Sequence, residues 1–364
     1  MHNKNILEFC LSPDLGGLEL FSINCFHHFK QKTATHIIVA PNTKLDGYVE
    51  KEKNKSHLTR NKFFPIIPAL KLSKYIDSND IDIIHFHWTK DIATVVLAKT
   101  LSTKKPKIIQ TRNMTMTRFK DDFYHRWLYK NISTVHAVTL QVKEQIQKFI
   151  PTDICPKVEM VYMGTQEKNI SQEKIIALKE QYKITDEFIV GIVGRIEEIK
   201  GQYLVIEAIK KLEKFNIKAM IVGHTMDEKY LQSLKKQIKD LAIEDKIIFT
   251  GFTKEVDAHM QLFDVNILAT PKETFGLVVI EAMINKVCMC ATNKGGPLEI
   301  IDDGQDGLLF ERNSEDLALK IKSLYDDETY KNKLAITGYE KAKEMFESEK
   351  QMDKLYKIII EEKY

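Results

Sequence analysis

Along the chain, short apolar runs alternate with longer segments in which apolar residues return every three or four positions. In the first half the runs are NILEF, THIIVA, IDIIHF, KIIQT, TVHAVT and VEMVYM. Each is rich in β-branched residues and bounded by polar or turn-forming ones, so each predicts a strand. Between them, GGLELFSINCFHHFK places Leu18, Phe21, Cys25 and Phe29 on one helical face, and KDIATVVLAKTL predicts another helix. The polar, aperiodic stretch GTQEKNISQEK (164–174) interrupts the pattern and predicts a linker. The second half then restarts with FIVGIVGR, AMIVGH, KIIFTG, VNILAT and VCMCAT, separated by helical segments such as GQYLVIEAIKKLEKF and DEKYLQSLKKQIKDL.

This alternation predicts an α/β protein of two doubly wound, Rossmann-like domains, one over residues 1–165 and one over 166–346. The C-terminal stretch ESEKQMDKLYKIIIEEKY, about residues 347–364, predicts a charged helix whose apolar face packs back across the seam onto the first domain. At 364 residues the chain is too long for one ordinary core, which agrees with two. In doubly wound sheets ligands sit beyond the carboxyl ends of the strands, so the loops after these runs are the places to look for chemistry.

No apolar run approaches the ~20 residues that a membrane span needs, and MHNKNILEFCLSPD enters a strand directly, without a signal-peptide pattern. The expectation is a cytoplasmic protein. The five cysteines (Cys10, Cys25, Cys155, Cys288 and Cys290) are odd in number and form no CxxC, which points to reduced, mostly buried thiols. The net charge of +3 conceals an asymmetry: residues 1–165 hold 24 Lys and Arg against 15 Asp and Glu, and the remainder 30 against 36. A basic first half suits an anionic partner surface or reflects a lysine-rich composition. No nucleic-acid-binding motif accompanies it.

Three strand-to-helix turns of the second half carry candidate chemistry. After FIVGIVG, Arg195 and Lys200 lie five residues apart, a spacing that suits a diphosphate or a solvated basic loop. After VNILAT comes PKETFGLVVIEAM, where Gly276 opens a helix whose free amides and dipole favour an anion. Glu273 then lies just outside that helix and Glu281 about 7–8 Å along its axis. Two carboxylates so placed could accept hydroxyls on either side of a diphosphate, or could be one acid at a helix start and one on a solvated face. Gly295, Gly296 and Pro297, with Glu299, make the third turn. A glycosidase pair would have to face each other across a cleft, which one helix and its leading loop do not favour.

The segments GRIEEIKGQ, ETFGLVVIEAM with its E-x7-E spacing, GGPLEII and DGQDGLLF occur in the order typical of glycosyltransferase family 4, and over residues 188–310 the chain closely resembles that family. The resemblance implies a GT-B architecture, two such domains facing across a cleft, with the donor on the C-terminal domain and the acceptor on the N-terminal one. It implies a retaining, metal-independent hexosyltransferase without a cofactor, whose substrate is a nucleotide-sugar, UDP-sugar favoured. Arg195, Lys200 and Glu273 would be the catalytic residues. Gly16, Gly17, Thr274, Phe275, Gly276, Leu277 and Glu281 would bind the donor. Gly16-Gly17 resembles the family's glycine-rich loop after the first strand and is no G-x-G-x-x-G fingerprint.

IDIIHFHW resembles the family's D-x-x-H-x-H strand and sets His85 and His87 on one face. They are acceptor-side candidates; a metal site would need a third and fourth ligand that the chain order does not identify, and none is expected. Arg112 and Asn113 stand where many members carry a histidine and complete the acceptor-side set. MGTQ replaces the family's N-G-x-D pattern, and INK replaces a glycine turn, with Asn285 expected to take the left-handed conformation. The acceptor would be a glycan or lipid-linked oligosaccharide of lipopolysaccharide or capsule type. RFKDDFYHRWLYKN, with Phe119, Phe123, Trp127 and Tyr129 beside Arg118, Lys120, Arg126 and Lys130, and the lysine-rich TKLDGYVEKEKNKSHLTRNKFF suit a protein peripheral to an anionic membrane surface. The rival reading on the same architecture is a nucleotide-sugar epimerase or a phosphorylase.

Overall fold

A computed structural model of the chain describes residues 4–61 and 64–361. The chain divides into two compact units, one of Met1–Met163 with Ser348–Tyr364 and one of Gly164–Glu347. The first unit is built on seven parallel strands: β1 (Ile6–Cys10), β2 (Thr35–Val39), β3 (Lys55–His57), β4 (Ile83–Phe86), β5 (Lys107–Arg112), β6 (Thr134–Ala137) and β7 (Lys157–Met160). Their order in the sheet is β3-β2-β1-β4-β5-β6-β7. The second unit has β8 (Phe188–Val193), β9 (Ile217–Val222), β10 (Ile247–Gly251), β11 (Val265–Leu268), β12 (Cys288–Thr292) and β13 (Leu308–Phe310), in the order β10-β9-β8-β11-β12-β13.

The central strands are buried on both faces, every residue of β1, β4, β11 and β12 included. This is why they read as continuous apolar runs instead of alternating ones. Two edge strands escape the sequence pattern. β3 is Lys-Ser-His, and β13 is three residues within a turn-rich stretch, so neither carries an apolar run long enough to be recognised. The expected linker is irregular only at its start; Ser171 caps a helix at Gln172–Tyr182 through a bond from the Lys174 amide.

Where the chain leaves and re-enters the second unit, its two segments are tied together: the Thr165 amide donates to the Phe346 carbonyl at 2.8 Å. The helix Ser348–Ile360 then returns to the first unit and buries Met352, Leu355 and Ile359. It packs on the helix Gly17–Phe29, where Tyr356 lies 5.5 Å from Phe29 and Asp353 bonds His28 at 2.7 Å and Lys32 at 2.6 Å. Residues 362–364 of the expected helix, and Lys62 and Phe63 of the lysine-rich loop, lie outside the described residues.

A candidate donor site and an acceptor-side pocket

In the second sheet the direction of winding reverses between β8 and β11. Loops that follow those two neighbours diverge and leave a crevice at the carboxyl edge, the general ligand position of this architecture. The loop after β8 carries Arg195 and Lys200; the loop after β11 carries Glu273, Thr274, Phe275 and Gly276. Topology therefore brings together two groups separated by more than seventy positions, and the Lys200 Nζ lies 3.5 Å from a Glu273 carboxylate oxygen, both side chains about a quarter exposed. Arg195 pairs with Glu197 at 3.0 Å and is about half exposed. Gln202, fully buried, donates to the Arg195 carbonyl at 2.9 Å and holds the loop. This supporting residue was not foreseen, since a glutamine at a helix start carries no signal of its own.

Gly276 caps the helix Leu277–Ile284 with φ +96, a left-handed conformation that glycine adopts without strain. The Val279 amide bonds back to the Gly276 carbonyl at 2.8 Å, which leaves the Leu277 and Val278 amides without an intrahelical acceptor. Thr274 and Leu277 are half-buried beside them. The Phe275 ring turns inward against Phe346, at 6.0 Å, so Phe275 meets this edge through its backbone. The glycine pair after β12 is more than a turn: Gly296 donates to the Glu273 carbonyl at 2.8 Å, and a Cβ on Gly296 would stand 2.3 Å from the Phe275 carbonyl oxygen. Only glycines let that loop brace Glu273.

Glu281 is half-buried one turn into the same helix. Burial first, and then the nearby Asp257, push its carboxyl up to about 7, while Lys168 draws it the other way. Asn285 does not take the left-handed conformation expected of it; its φ is −85, and Lys286 occupies that region at +59. The Asn285 amide instead reaches the Glu281 carbonyl at 2.9 Å and Asp257 at 3.1 Å, bonds available only to a residue that continues the helix. At the ends of β9 and β10, His224 and the exposed Phe252 stand 5.9 Å apart at the same carboxyl edge. The strand-end rule applied to AMIVGH and KIIFTG would have found them.

In the first unit Gly16 caps the helix Gly17–Phe29 in an extended conformation open to any residue. His85 and His87 face Glu8 of β1, the neighbouring strand in register: Glu8 bonds His85 Nδ1 at 2.8 Å and His87 Nε2 at 2.7 Å. Thr111 Oγ1 links His85 Nε2 (2.6 Å) to His136 Nδ1 (2.9 Å), and His136 Nε2 donates to the Val161 carbonyl at 2.8 Å. Burial pushes His136 down to about 3 and His87 down to about 4, so both rings are neutral. The Val161 carbonyl then fixes the His136 tautomer, and Thr111 must donate to His136 Nδ1. Its remaining capacity accepts from His85.

Glu8, Cys25, His85 and His87 also present one ligand-type atom each within 4.8 Å of one another, supplying the partners that the chain order left unidentified. Nitrogen and oxygen ligands about 2.0–2.1 Å from a tetrahedral zinc lie about 3.3 Å apart. The Glu8–imidazole separations of 2.7–2.8 Å are those of hydrogen bonds. Burial holds the Cys25 thiol well above its ordinary value, beside Met352 Sδ at 3.9 Å.

Arg112 ends β5 at 7% exposure, and with Asn113 it reaches the carboxyl edge of the first sheet. Of the aromatics expected at a surface, Phe123 is 90% and Phe119 66% exposed, whereas Tyr129 is buried at 2%. The helix Phe123–Lys130 turns Leu128 and Tyr129 toward the core, a division set by its period of 3.6.

Two family models match the chain: Glycosyl transferase 4-like over residues 8–140 and Glycosyl transferases group 1 over residues 174–341. The chain is a GT4-like glycosyltransferase. Its fold is GT-B, two Rossmann-like parallel-sheet domains. The N-acetyl-alpha-D-glucosaminyl L-malate synthase of Bacillus anthracis is 26% identical over 78% of this chain and 75% of that protein. The capsular polysaccharide biosynthesis glycosyltransferase CapM of Staphylococcus aureus is 23% identical over 71% of this chain and 72% of its own. Among solved structures, Anabaena Alr3699/HepE in complex with UDP superposes with a TM-score of 0.85 at 19% identity, over 98% of this glycosyltransferase and 99% of that chain.

Proposed function

We propose that this glycosyltransferase moves a hexosyl unit from a nucleotide-sugar, UDP-sugar favoured, to a glycan acceptor in the assembly of a lipopolysaccharide or capsule-type polysaccharide, with retained anomeric configuration and without a metal. The observation that carries the proposal is the convergence at the β8/β11 crevice of Lys200, Arg195 and the open amides at Gly276. Donors and charges of this kind, carried on neighbouring loops, suit one anion. Arg195, Lys200 and the amides stabilise negative charge that grows on the departing nucleoside diphosphate. Glu273 accepts hydroxyls of the donor sugar, and Glu281 those of the ribose. As the anomeric carbon–oxygen bond to phosphate breaks, the acceptor oxygen bonds to that carbon and its proton passes to the leaving phosphate. The names of the Anabaena structure and of the S. aureus relative support UDP and capsule-type polysaccharide respectively. Membership of a transferase family favours transfer over epimerisation or phosphorolysis.

A thermal-shift panel of UDP-, GDP-, ADP- and CMP-sugars tests the donor, with the UDP-sugar expected to raise the unfolding temperature most. No shift with any of the four would sink the reading. The same panel run on either side of pH 7 tests Glu281. A carboxyl titrating near 7 is an ionised acceptor above that value and is lost as an acceptor below it, so donor affinity falls as pH falls through about 7. Without donor the sign is opposite: a raised carboxyl contributes stability below its unfolded value that is lost as pH rises through 7. Glu281→Gln should flatten the pH dependence of binding; an unchanged slope removes Glu281 from the ribose.

Phe119 and Phe123, exposed beside Arg118 and Lys120, support peripheral docking at the cytoplasmic face of an anionic membrane. No described helix is long and apolar enough to cross one. Flotation with anionic vesicles is expected, and Phe123→Ser should reduce it; equal flotation with neutral vesicles argues against docking.

A further inference from the structure

At the carboxyl edge of the first sheet a cavity of about 470 Å³ is lined by five basic side chains, Arg60, Lys90, Arg112, Lys120 and His125, and by no carboxylate among the described residues. Arg112 Nη2 donates to the Thr115 carbonyl at 3.1 Å, while its Nε and Nη1, buried, have no partner. A guanidinium nine-tenths buried with two nitrogens unsatisfied is a feature that folded proteins keep only for a reason. Lys120 makes the strain greater: burial first, and then the charge of Arg112, hold its amine below the ordinary range.

Neither carboxylate nearby lines this space. Asp122 pairs with His125 Nδ1, leaving His125 Nε2 at 3.5 Å from the Lys120 amine. Asp91 is buried, accepts the Leu11 amide at 2.9 Å through one oxygen, leaves the other without a partner, and is raised to about 7 by its burial despite the charge of Arg60. Arg60 and Lys90 stand over the Trp88 ring at 5.0 and 5.1 Å. Like charges have thus been gathered around a space that no described carboxylate lines, next to a planar donor fork that matches a phosphate.

We infer that this pocket binds a phosphate or diphosphate group carried by the acceptor, seated against Arg112 and Lys120. The volume exceeds that of a phosphate alone and leaves room for the adjoining sugar or prenyl group, toward which Tyr124 and Thr89 offer hydroxyls. The assignment to the acceptor rests on the glycosyl-transfer reading; the anion site itself does not.

The test is calorimetric titration of the full chain with pyrophosphate, a hexose phosphate and a prenyl diphosphate in neutral detergent. It compares the unaltered protein with Arg112→Gln, Lys120→Gln and Lys200→Ala, the last because the second domain has an anion site of its own. At least one probe is expected to bind about tenfold or more weakly in Arg112→Gln and Lys120→Gln, and unchanged in Lys200→Ala. The tightest arm then identifies the source of the phosphate as a soluble sugar or a lipid carrier. Failure of every probe to bind at about 10 mM, or equal binding by both pocket variants, overturns the inference. If Arg112→Gln does not fold, Lys120→Gln, at a half-exposed position, decides alone. Phosphate binding here without any nucleotide-sugar stabilisation would instead sink the transfer reading and leave the pocket standing.

Discussion

Replacing Lys200 with alanine is expected to lower kcat by about 10²–10³-fold while leaving the protein folded, the usual effect of deleting one preorganised group that stabilises transition-state charge. Lys200 sits on a short 3-10 turn at the carboxyl edge, a quarter exposed, and that turn contains no buried residue. Its ammonium is aimed by the Glu273 carboxylate at 3.5 Å, which itself is braced by the Gly295-Gly296 loop. Glu273→Ala should therefore also lose turnover, by removing both a sugar contact and the group that orients the lysine. The decisive comparison is steady-state kinetics beside thermal unfolding: full turnover in Lys200→Ala would remove the crevice from the chemistry. A drop in kcat/KM accompanied by an equal loss of stability would reduce Lys200 to a structural role.

The second large effect concerns the core of the first domain. Glu8→Ala is expected to destabilise it by about 3–5 kcal/mol, because it strips the partner from two fully buried imidazoles at once. Each ring nitrogen that now meets Glu8 would lie in a site with no water to replace it. Glu8→Gln, which keeps the shape and one accepting oxygen, should lose roughly half as much. Chemical denaturation followed by fluorescence measures both, and a change under about 1 kcal/mol in Glu8→Ala would show that the network relaxes around the gap. The same experiment separates this cluster from the acceptor pocket. Phosphate binding at Arg112 should persist in Glu8→Gln.

Most of the architecture was legible in the chain because parallel strands covered on both faces must be apolar throughout, and helices laid over them must be apolar on one stripe. Runs such as FIVGIV and VNIL leave little choice of element. The edge strands β3 and β13 were invisible for the complementary reason: a strand paired on one side can be only three residues long, and in β3 it is polar as well. The helix Phe123–Lys130 was half-legible, since composition marked its aromatics but not which of them face inward; Phe123 is bare and Tyr129 is core.

At the candidate donor site the residue types and their spacing singled out Lys200, Arg195, Glu273, Gly276 and Glu281, and the strand-end rule placed them on loops at the carboxyl edge or, for Glu281, in the helix that follows one. That Lys200 meets Glu273 depends on β8 and β11 being neighbours, which follows from strand order, not from sequence distance. Glu8 tells the same story in the first domain. As one acid within the run ILEFC it is an anomaly, and only pairing in register with β4 places it opposite His85.

By itself, the amino-acid sequence determined two doubly wound domains, the loops that hold the candidate residues and the family to which those loops belong, because periodicity and turn residues are local quantities. The tertiary structure alone decided which distant side chains share a crevice, which histidines are neutral and why two nitrogens of Arg112 have no partner among the described residues. Those are consequences of burial and strand order, and both come into being only when the sheets close.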